Sequence, residues 1–331
     1  MKGYQFEDTQ GTFHLKKAEN ISYLYFPIAG EAGLKSSLTP NLGGDAKIDQ
    51  NTFLLEPVSA ENLVNNRNSR NFWCNVKGIG SWSLTGNAAE ALSKKFTEMQ
   101  DDSEVTAGFM WQKTTRESKK YQLRGEILSF IPVEKNVEVM LVTITNTGRM
   151  AQTVTPTAAI PLYGRSADNI RDHRHVTSLL HRIETTDIGV LVTPTLSFDE
   201  RGHQVNHMTY YCVGWSGNGE KPVDFYPTAE DFVGEGGNFE RPYAIVKNAE
   251  GVKAGTRIEG LEAVGGLHFS EVTLEPEEEC SYLIFTGITE DIQEIRNLSK
   301  TYTTREMVLE ELEKTKAYWQ EKVNVAYHTG D

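Results

Sequence analysis

What this sequence lacks narrows its function before any motif is read. No stretch of the 331 residues is long and apolar enough to cross a bilayer as a helix, and the mean hydropathy is −0.45. The run Met1-Lys2-Gly3-Tyr4-Gln5-Phe6-Glu7-Asp8 turns acidic at once, without the basic-then-apolar order of a secretory signal. Cysteine is scarce. Cys74, Cys212 and Cys280 are odd in number and far apart, which fits a reducing compartment better than a disulfide framework. A cytoplasmic protein with no membrane partner is therefore expected. None of the cysteines forms a Cys-x-x-Cys pair, so neither a zinc ribbon nor a thioredoxin-type centre is supported.

Positive charge is also short. Lys and Arg number 33 against 46 Asp and Glu, a formal net charge of −13. A nucleic-acid partner needs a basic face to neutralise phosphates, so none is expected. Gly78-x-Gly80 and Gly234-Glu235-Gly236-Gly237 lack the Lys-Ser/Thr of a phosphate-binding loop and a following crossover helix, and they read as tight turns. Strand–helix–strand alternation is missing, which excludes a doubly wound nucleotide fold. No serine lies in a Gly-x-Ser-x-Gly elbow, and no cofactor is implied.

What is present is β structure. From Gly3 to about Ile288 short β-type runs alternate with turn signals: Phe72–Val76, Val137–Ile144, Gly189–Leu196, Met208–Trp215 and Tyr282–Phe285. Residues 137, 139 and 141 of the second run are apolar in step, and Asn146-Thr147-Gly148 predicts a hairpin back through Gln152–Thr155. The fold class expected is mainly β: stacked antiparallel sheets in one large sandwich over residues 1–288, followed by a helical segment over 289–331. Within that segment Thr303–Val323 reads as an amphipathic helix. Thr303 and Glu306 have capping-box spacing, and Val308, Leu312, Thr315, Trp319 and Val323 share a stripe. That stripe needs a covering surface, on the sandwich or elsewhere. Tyr327–Asp331 reads as a turn toward another element, so a larger protein is expected to continue beyond it.

The densest chemistry lies in Gly164-Arg165-Ser166-Ala167-Asp168-Asn169-Ile170-Arg171-Asp172-His173-Arg174-His175. Such a segment cannot enter a core without many partners. Its planar donors and carboxylates suit a ligand rich in hydroxyls, or a phosphate. The candidate substrate-binding residues are Arg171, Asp172, His173, Arg174 and His175; no residue of the chain is assigned a catalytic role. A metal site from His173, His175, His181 and Asp172 is weak, because only a strand would align the first two and no further ligand completes a pattern. Asp199 and Glu200, being adjacent, would point to opposite faces of a strand and not flank one glycosidic bond; Phe198–His203 reads as a strand-end turn. Trp73, Trp82 and Trp111 fit a core, whereas Trp215, near Gly214 and Gly217, is placed at a loop rim.

Several strings together carry a resemblance: Tyr25–Gly33, Gln50–Pro57, Ser69–Cys74, the charged loop, Phe198–His203 and Asp231–Gly236. Over nearly its whole length the chain resembles the N-terminal region of the inverting phosphorylases of glycoside hydrolase family 94, formerly glycosyltransferase family 36. The longer strings are most similar to the β-1,2-oligoglucan (sophorose-type) members. The resemblance implies a galactose-mutarotase-like super-sandwich and a linker helix leading to an (α/α)6 catalytic barrel. It implies inorganic phosphate as co-substrate, a β-glucooligosaccharide as ligand, and homodimerisation. Phosphate would attack the anomeric carbon while a barrel aspartic acid protonates the leaving oxygen. Nothing in this chain matches the barrel. A Gln-Arg pair of cellobiose-type relatives, which reaches the acceptor sugar, corresponds to His173-Arg174 here, with Asp172 and Arg171 orienting it. Two other readings stay open: a stand-alone or split-gene carbohydrate-binding module, for which a split predicts an exposed apolar stripe at Trp319, and a mutarotase-like enzyme using His203 with a carboxylate.

Overall fold

The computed structural model describes residues 4–21, 24–59, 69–170, 174–199, 202–323 and 330, with the backbone alone at 174, 175 and 199. The strand Val137–Asn146 shows how the sequence builds the rest. All ten of its residues are buried, because it has a core on each side. Val137, Val139 and Leu141 point into one apolar cluster, and Met140, Val142 and Ile144 into another. Period-two alternation here separates two cores rather than core from solvent.

That strand lies near the middle of an eleven-stranded antiparallel sheet. The order is Tyr4–Phe6, Phe13–Lys16, Asp102–Gly108, Trp111–Ser118, Leu123–Phe130, Val137–Asn146, Glu279–Thr289, Thr209–Ser216, Gly189–Val192, Arg182–Thr185 and Arg257–Glu259. Facing it is a six-stranded sheet in the order Asp224–Thr228, Ala263–His268, Gln152–Leu162, Asn71–Val76 and Gly80–Ser83, with Val272–Leu274 also on Gln152–Leu162. A four-stranded sheet, Phe26–Ala29 through Thr52–Leu55, and the hairpin Leu196–Asp199/Gly202–Val205 complete the strands among the described residues. This is a mainly β super-sandwich, as expected. Between its two large sheets lie Phe72, Ile127, Val142, Ile160, Leu267 and Ile284.

The expected hairpin after Val137–Ile144 does not form. Both edges of that strand are already taken, by Leu123–Phe130 and Glu279–Thr289, so Gln152–Leu162 crosses to the opposite sheet and pairs with Asn71–Val76 and Ala263–His268. Asn146 holds the crossing: its amide donates to the Met150 and Leu274 carbonyls at 2.8 and 2.9 Å, and its oxygen accepts from Gly148 N. The glycine turns are as read. Gly78 joins Asn71–Val76 to Gly80–Ser83, and Gly234, at φ 72°, closes the helix Ala229–Val233.

Two helices, Ile292–Thr301 and Arg305–Val323, cover the outer face of the eleven-stranded sheet. Ile295, Leu298, Val308 and Leu312 join Val139, Trp215 and Phe285 in one cluster. Each such side chain contributes roughly 1.5–3 kcal/mol on burial. The stripe residues Val308, Leu312, Thr315 and Trp319 are buried, while Val323 is 37% exposed. The sheet covers the stripe at Val308 and Leu312, and Trp319 is itself buried, unlike the exposed patch that a split protein predicted. The cap also moves by one residue. Thr304 Oγ1 accepts from Met307 N at 3.5 Å, whereas Thr303 donates to Met307 Sδ. None of the helices described is long and apolar enough to cross a membrane.

Candidate functional site

The charged loop leaves the sandwich where Gln152–Leu162 runs off the end of the six-stranded sheet. Its first residues are tied to the strand Thr52–Leu55: Tyr163 N and Gly164 N donate to Leu54 O and Phe53 O at 2.8 and 3.1 Å, and Phe53 N returns a bond to Arg165 O. Arg165 then turns inward. Its side chain is 4% exposed and forms a forked pair with Glu262, with Nη2–Oε2 at 2.5 Å and Nη1–Oε1 at 3.2 Å. Nε donates to Tyr163 O, Nη1 also donates to Thr177 Oγ1 at 3.2 Å, and the guanidinium lies 4.6 Å over the Tyr163 ring. A planar five-donor fork suits this site: it makes four bonds, two of them from separate nitrogens onto one carboxylate, whereas an ammonium has three donors on a single atom.

Thr177 belongs to the short helix Arg174–Ser178. One buried cation thus joins the start of the strand Ala263–His268, through Glu262, to the helix that bears the candidate residues. The segment between is pinned from the other side. Ser166 Oγ and Asn169 Nδ2 both donate to Phe198 O, at 2.5 and 2.8 Å, and Ala167 N donates to Gln50 O. Phe198 sits in the Leu196–Asp199 hairpin strand, its ring 4.0 Å from that of His203. Below the helix, His181 is fully buried, with Nδ1 at 3.1 Å from Leu261 O. Burial lowers its pKa to about 3, and the Arg165 charge pushes the same way.

Arg171, Asp172 and His173 lie outside the described residues. Arg174 and His175 open the helix Arg174–Ser178, so that stretch is helical and not the strand on which aligned histidine ligands were considered. The described residues hold no group of three His, Cys, Asp or Glu arranged for a metal ion. Asp199 pairs directly with Gly202 in a hairpin, and His203 is exposed on it.

Trp73 and Trp82 are buried as expected, and Trp111 is half-buried. Trp215 is corrected. It is 3% exposed, stacks on Phe285 at 4.9 Å and donates to Tyr302 O at 3.0 Å. Its neighbour Gly214 signals close strand packing rather than a loop: a Cβ there would meet Leu283 O at 2.6 Å. Glu262 and the Phe198 carbonyl escaped the sequence reading. Their partners lie 97 and 29–32 residues away, and no local pattern announces them.

A large antiparallel super-sandwich ending in a doubly anchored polar loop defines the class of domain. The chain belongs to glycosyl hydrolase family 94: the family model "Glycosyl hydrolase 94, supersandwich domain" matches residues 56–305. A search of curated proteins found no match. Among solved structures, a protein described as a kojibiose phosphorylase from the human microbiome is 8% identical, with a TM-score of 0.46, over 96% of this chain and 39% of its own. A bacterial glucoamylase is 9% identical, with a TM-score of 0.47, over 96% and 37%. A galactose mutarotase-like protein from Clostridium acetobutylicum is 8% identical, with a TM-score of 0.37, over 86% and 98%. The chain therefore spans less than two fifths of the first two proteins' length.

Proposed function

We propose that this chain is the N-terminal sandwich of an inverting phosphorylase acting on β-1,2-linked glucooligosaccharides, and that its charged loop shapes the acceptor-sugar subsite. The reading is carried by the loop's construction within a family 94 super-sandwich. A buried Arg165–Glu262 pair and the Phe198 carbonyl hold both flanks of residues 171–173, and rigid flanks fit a binding element rather than a freely solvated turn. Arg174 donates to adjacent sugar hydroxyls, His173 adds a further hydrogen bond, and Arg171, Asp172 and His175 orient the pair or touch sugar.

The chemistry belongs to an (α/α)6 barrel, joined in the same chain or supplied separately, toward which residues 289–331 lead. A phosphate oxygen bonds to the anomeric carbon as the glycosidic C–O bond breaks. The leaving oxygen takes a proton from a barrel carboxylic acid. α-Glucose 1-phosphate and a shortened acceptor result, with no cofactor beyond phosphate. The sandwich packs on that barrel, and the assembly pairs as a homodimer in the cytoplasm. The test is to incubate the intact gene product with sophoro-oligosaccharides and inorganic phosphate. Phosphate-dependent release of α-glucose 1-phosphate supports the proposal; free glucose appearing at the same rate without phosphate rules it out.

A further inference from the structure

Far along the chain from the charged loop, and sharing no residue with it, a cleft of about 320 Å³ opens between the C-terminal helix and one end of the eleven-stranded sheet. Its floor is a tight hairpin. Trp111 pairs directly with Gly108, leaving Phe109-Met110 as a two-residue turn in which Met110 takes a left-handed φ of 61°. Phe109 and Trp111 are both half-buried and line the cleft, and each ring lies against a glycine. A Cβ at Gly108 would meet Trp111 Nε1 at 2.5 Å, and one at Gly11 would meet the Phe109 ring at 3.1 Å. A side chain at either position would displace the platform.

The opposite wall is the helix face Glu313, Lys316, Ala317 and Gln320. Lys316 Nζ lies 4.4 Å over the Trp111 ring and bonds Glu313 at 2.8 Å. Ala317 is small and exposed, which leaves the space open. The amides of Gln10 and Gln320 line the cleft and have no side-chain hydrogen-bond partner among the described residues. The carboxylates of Asp8 and Glu313 stand nearby.

This composition selects a ligand class. An apolar ligand would strand the ring of amides and carboxylates, and an anion would meet Asp8 and Glu313. A sugar ring satisfies both surfaces, with its C–H face on the Phe109 ring and its vicinal hydroxyls on the amides, the carboxylates and the Lys316 ammonium that Trp111 holds in place. We infer that the cleft at Phe109 and Trp111 is a second, non-catalytic binding site for a neutral oligosaccharide chain. The inference rests on the proposal that this chain works on glucooligosaccharides, but a ring-face platform does not itself read the linkage. Its role is to hold a remote stretch of a long substrate and so raise the local concentration of chain ends.

The test is a titration of this chain with short β-1,2-, β-1,3- and β-1,4-glucooligosaccharides, followed by tryptophan fluorescence and calorimetry. Saturable binding is expected, weakened at least about tenfold by Trp111→Ala and likewise by Ala317→Arg. Ala317→Arg fills the cleft from an exposed helix position and leaves the hairpin packing intact, so its effect does not depend on the fate of Trp111→Ala. Binding that Ala317→Arg leaves untouched, or no saturable binding of any of the three sugars, overturns the inference. Cleft binding of these chains without phosphorolysis of β-1,2 chains by the intact gene product would keep the inference and remove the β-1,2 reading. Phosphorolysis of β-1,2 chains with no cleft effect would do the reverse.

Discussion

Two buried arginine–glutamate pairs in this molecule use the same chemistry for different ends. Arg70 and Glu138 tie the four-stranded sheet to the eleven-stranded one. Nε–Oε1 is 2.5 Å and Nη2–Oε2 3.1 Å, Ser36 Oγ donates to Glu138 Oε2 at 2.6 Å, and Arg70 Nη1 donates to Gly44 O. Arg70 and Glu138 are 1% and 4% exposed, and everything they touch is sandwich. Arg165 is as deep, but its partner Glu262 is 21% exposed, and the cation also reaches Thr177 in the loop helix. The first pair fixes sheet to sheet. The second fixes a sheet end to a loop, so its loss should appear in function more than in stability.

Substitutions can separate the two roles. Arg70→Met strands the Glu138 carboxylate in the core and should cost about 3–5 kcal/mol in denaturant unfolding, whereas Arg70→Met with Glu138→Leu should recover much of that loss. If the single and double variants were equally destabilised, the pair would not be the source of the cost. Arg165→Met should cost less, about 1–3 kcal/mol, because Glu262 can rehydrate. It should also free the helix Arg174–Ser178 from its Thr177 anchor, seen as faster amide exchange over residues 174–181 with the rest of the sheet unchanged. Uniformly faster exchange would place Arg165 with Arg70 as a general stability element.

The third effect concerns pH. His181 stays neutral in the folded protein down to about pH 3, while the unfolded chain takes up its proton near the ordinary histidine value of ~6.5. Between those values the unfolded state binds more protons, so stability falls with acidification by up to about 1.4 kcal/mol per pH unit from this residue. His181→Gln should flatten the slope between pH 6 and pH 4; an unchanged slope would mean that His181 is not its source.

Much of the fold was legible because it rests on local patterning. The strands, the turn glycines and the helix stripe at Val308, Leu312, Thr315 and Trp319 all follow from periodicity within about a dozen residues. Pairing partners were not legible. The supposed hairpin after Asn146 failed because strand occupancy is a property of the whole sheet, set by Glu279–Thr289, more than a hundred residues on. Trp215 was misplaced for a related reason: its glycine neighbour marks packing against Leu283, a distant strand. The charged loop was visible as composition. The groups that hold its flanks, Glu262 and the Phe198 carbonyl, were hidden because one lies 97 residues from Arg165 and the other is backbone.

The most direct measurement of the loop's role compares acceptor and phosphate kinetics in the intact gene product, with Arg174→Ala beside the unsubstituted enzyme. In the synthetic direction, from α-glucose 1-phosphate and a glucooligosaccharide acceptor, KM for the acceptor should rise about 10- to 100-fold, the loss of one to two charge-assisted hydrogen bonds. KM for phosphate in the degradative direction should stay unchanged. An acceptor KM equal to that of the unsubstituted enzyme, or a loss falling on phosphate instead, would contradict the assignment of this loop to the acceptor subsite.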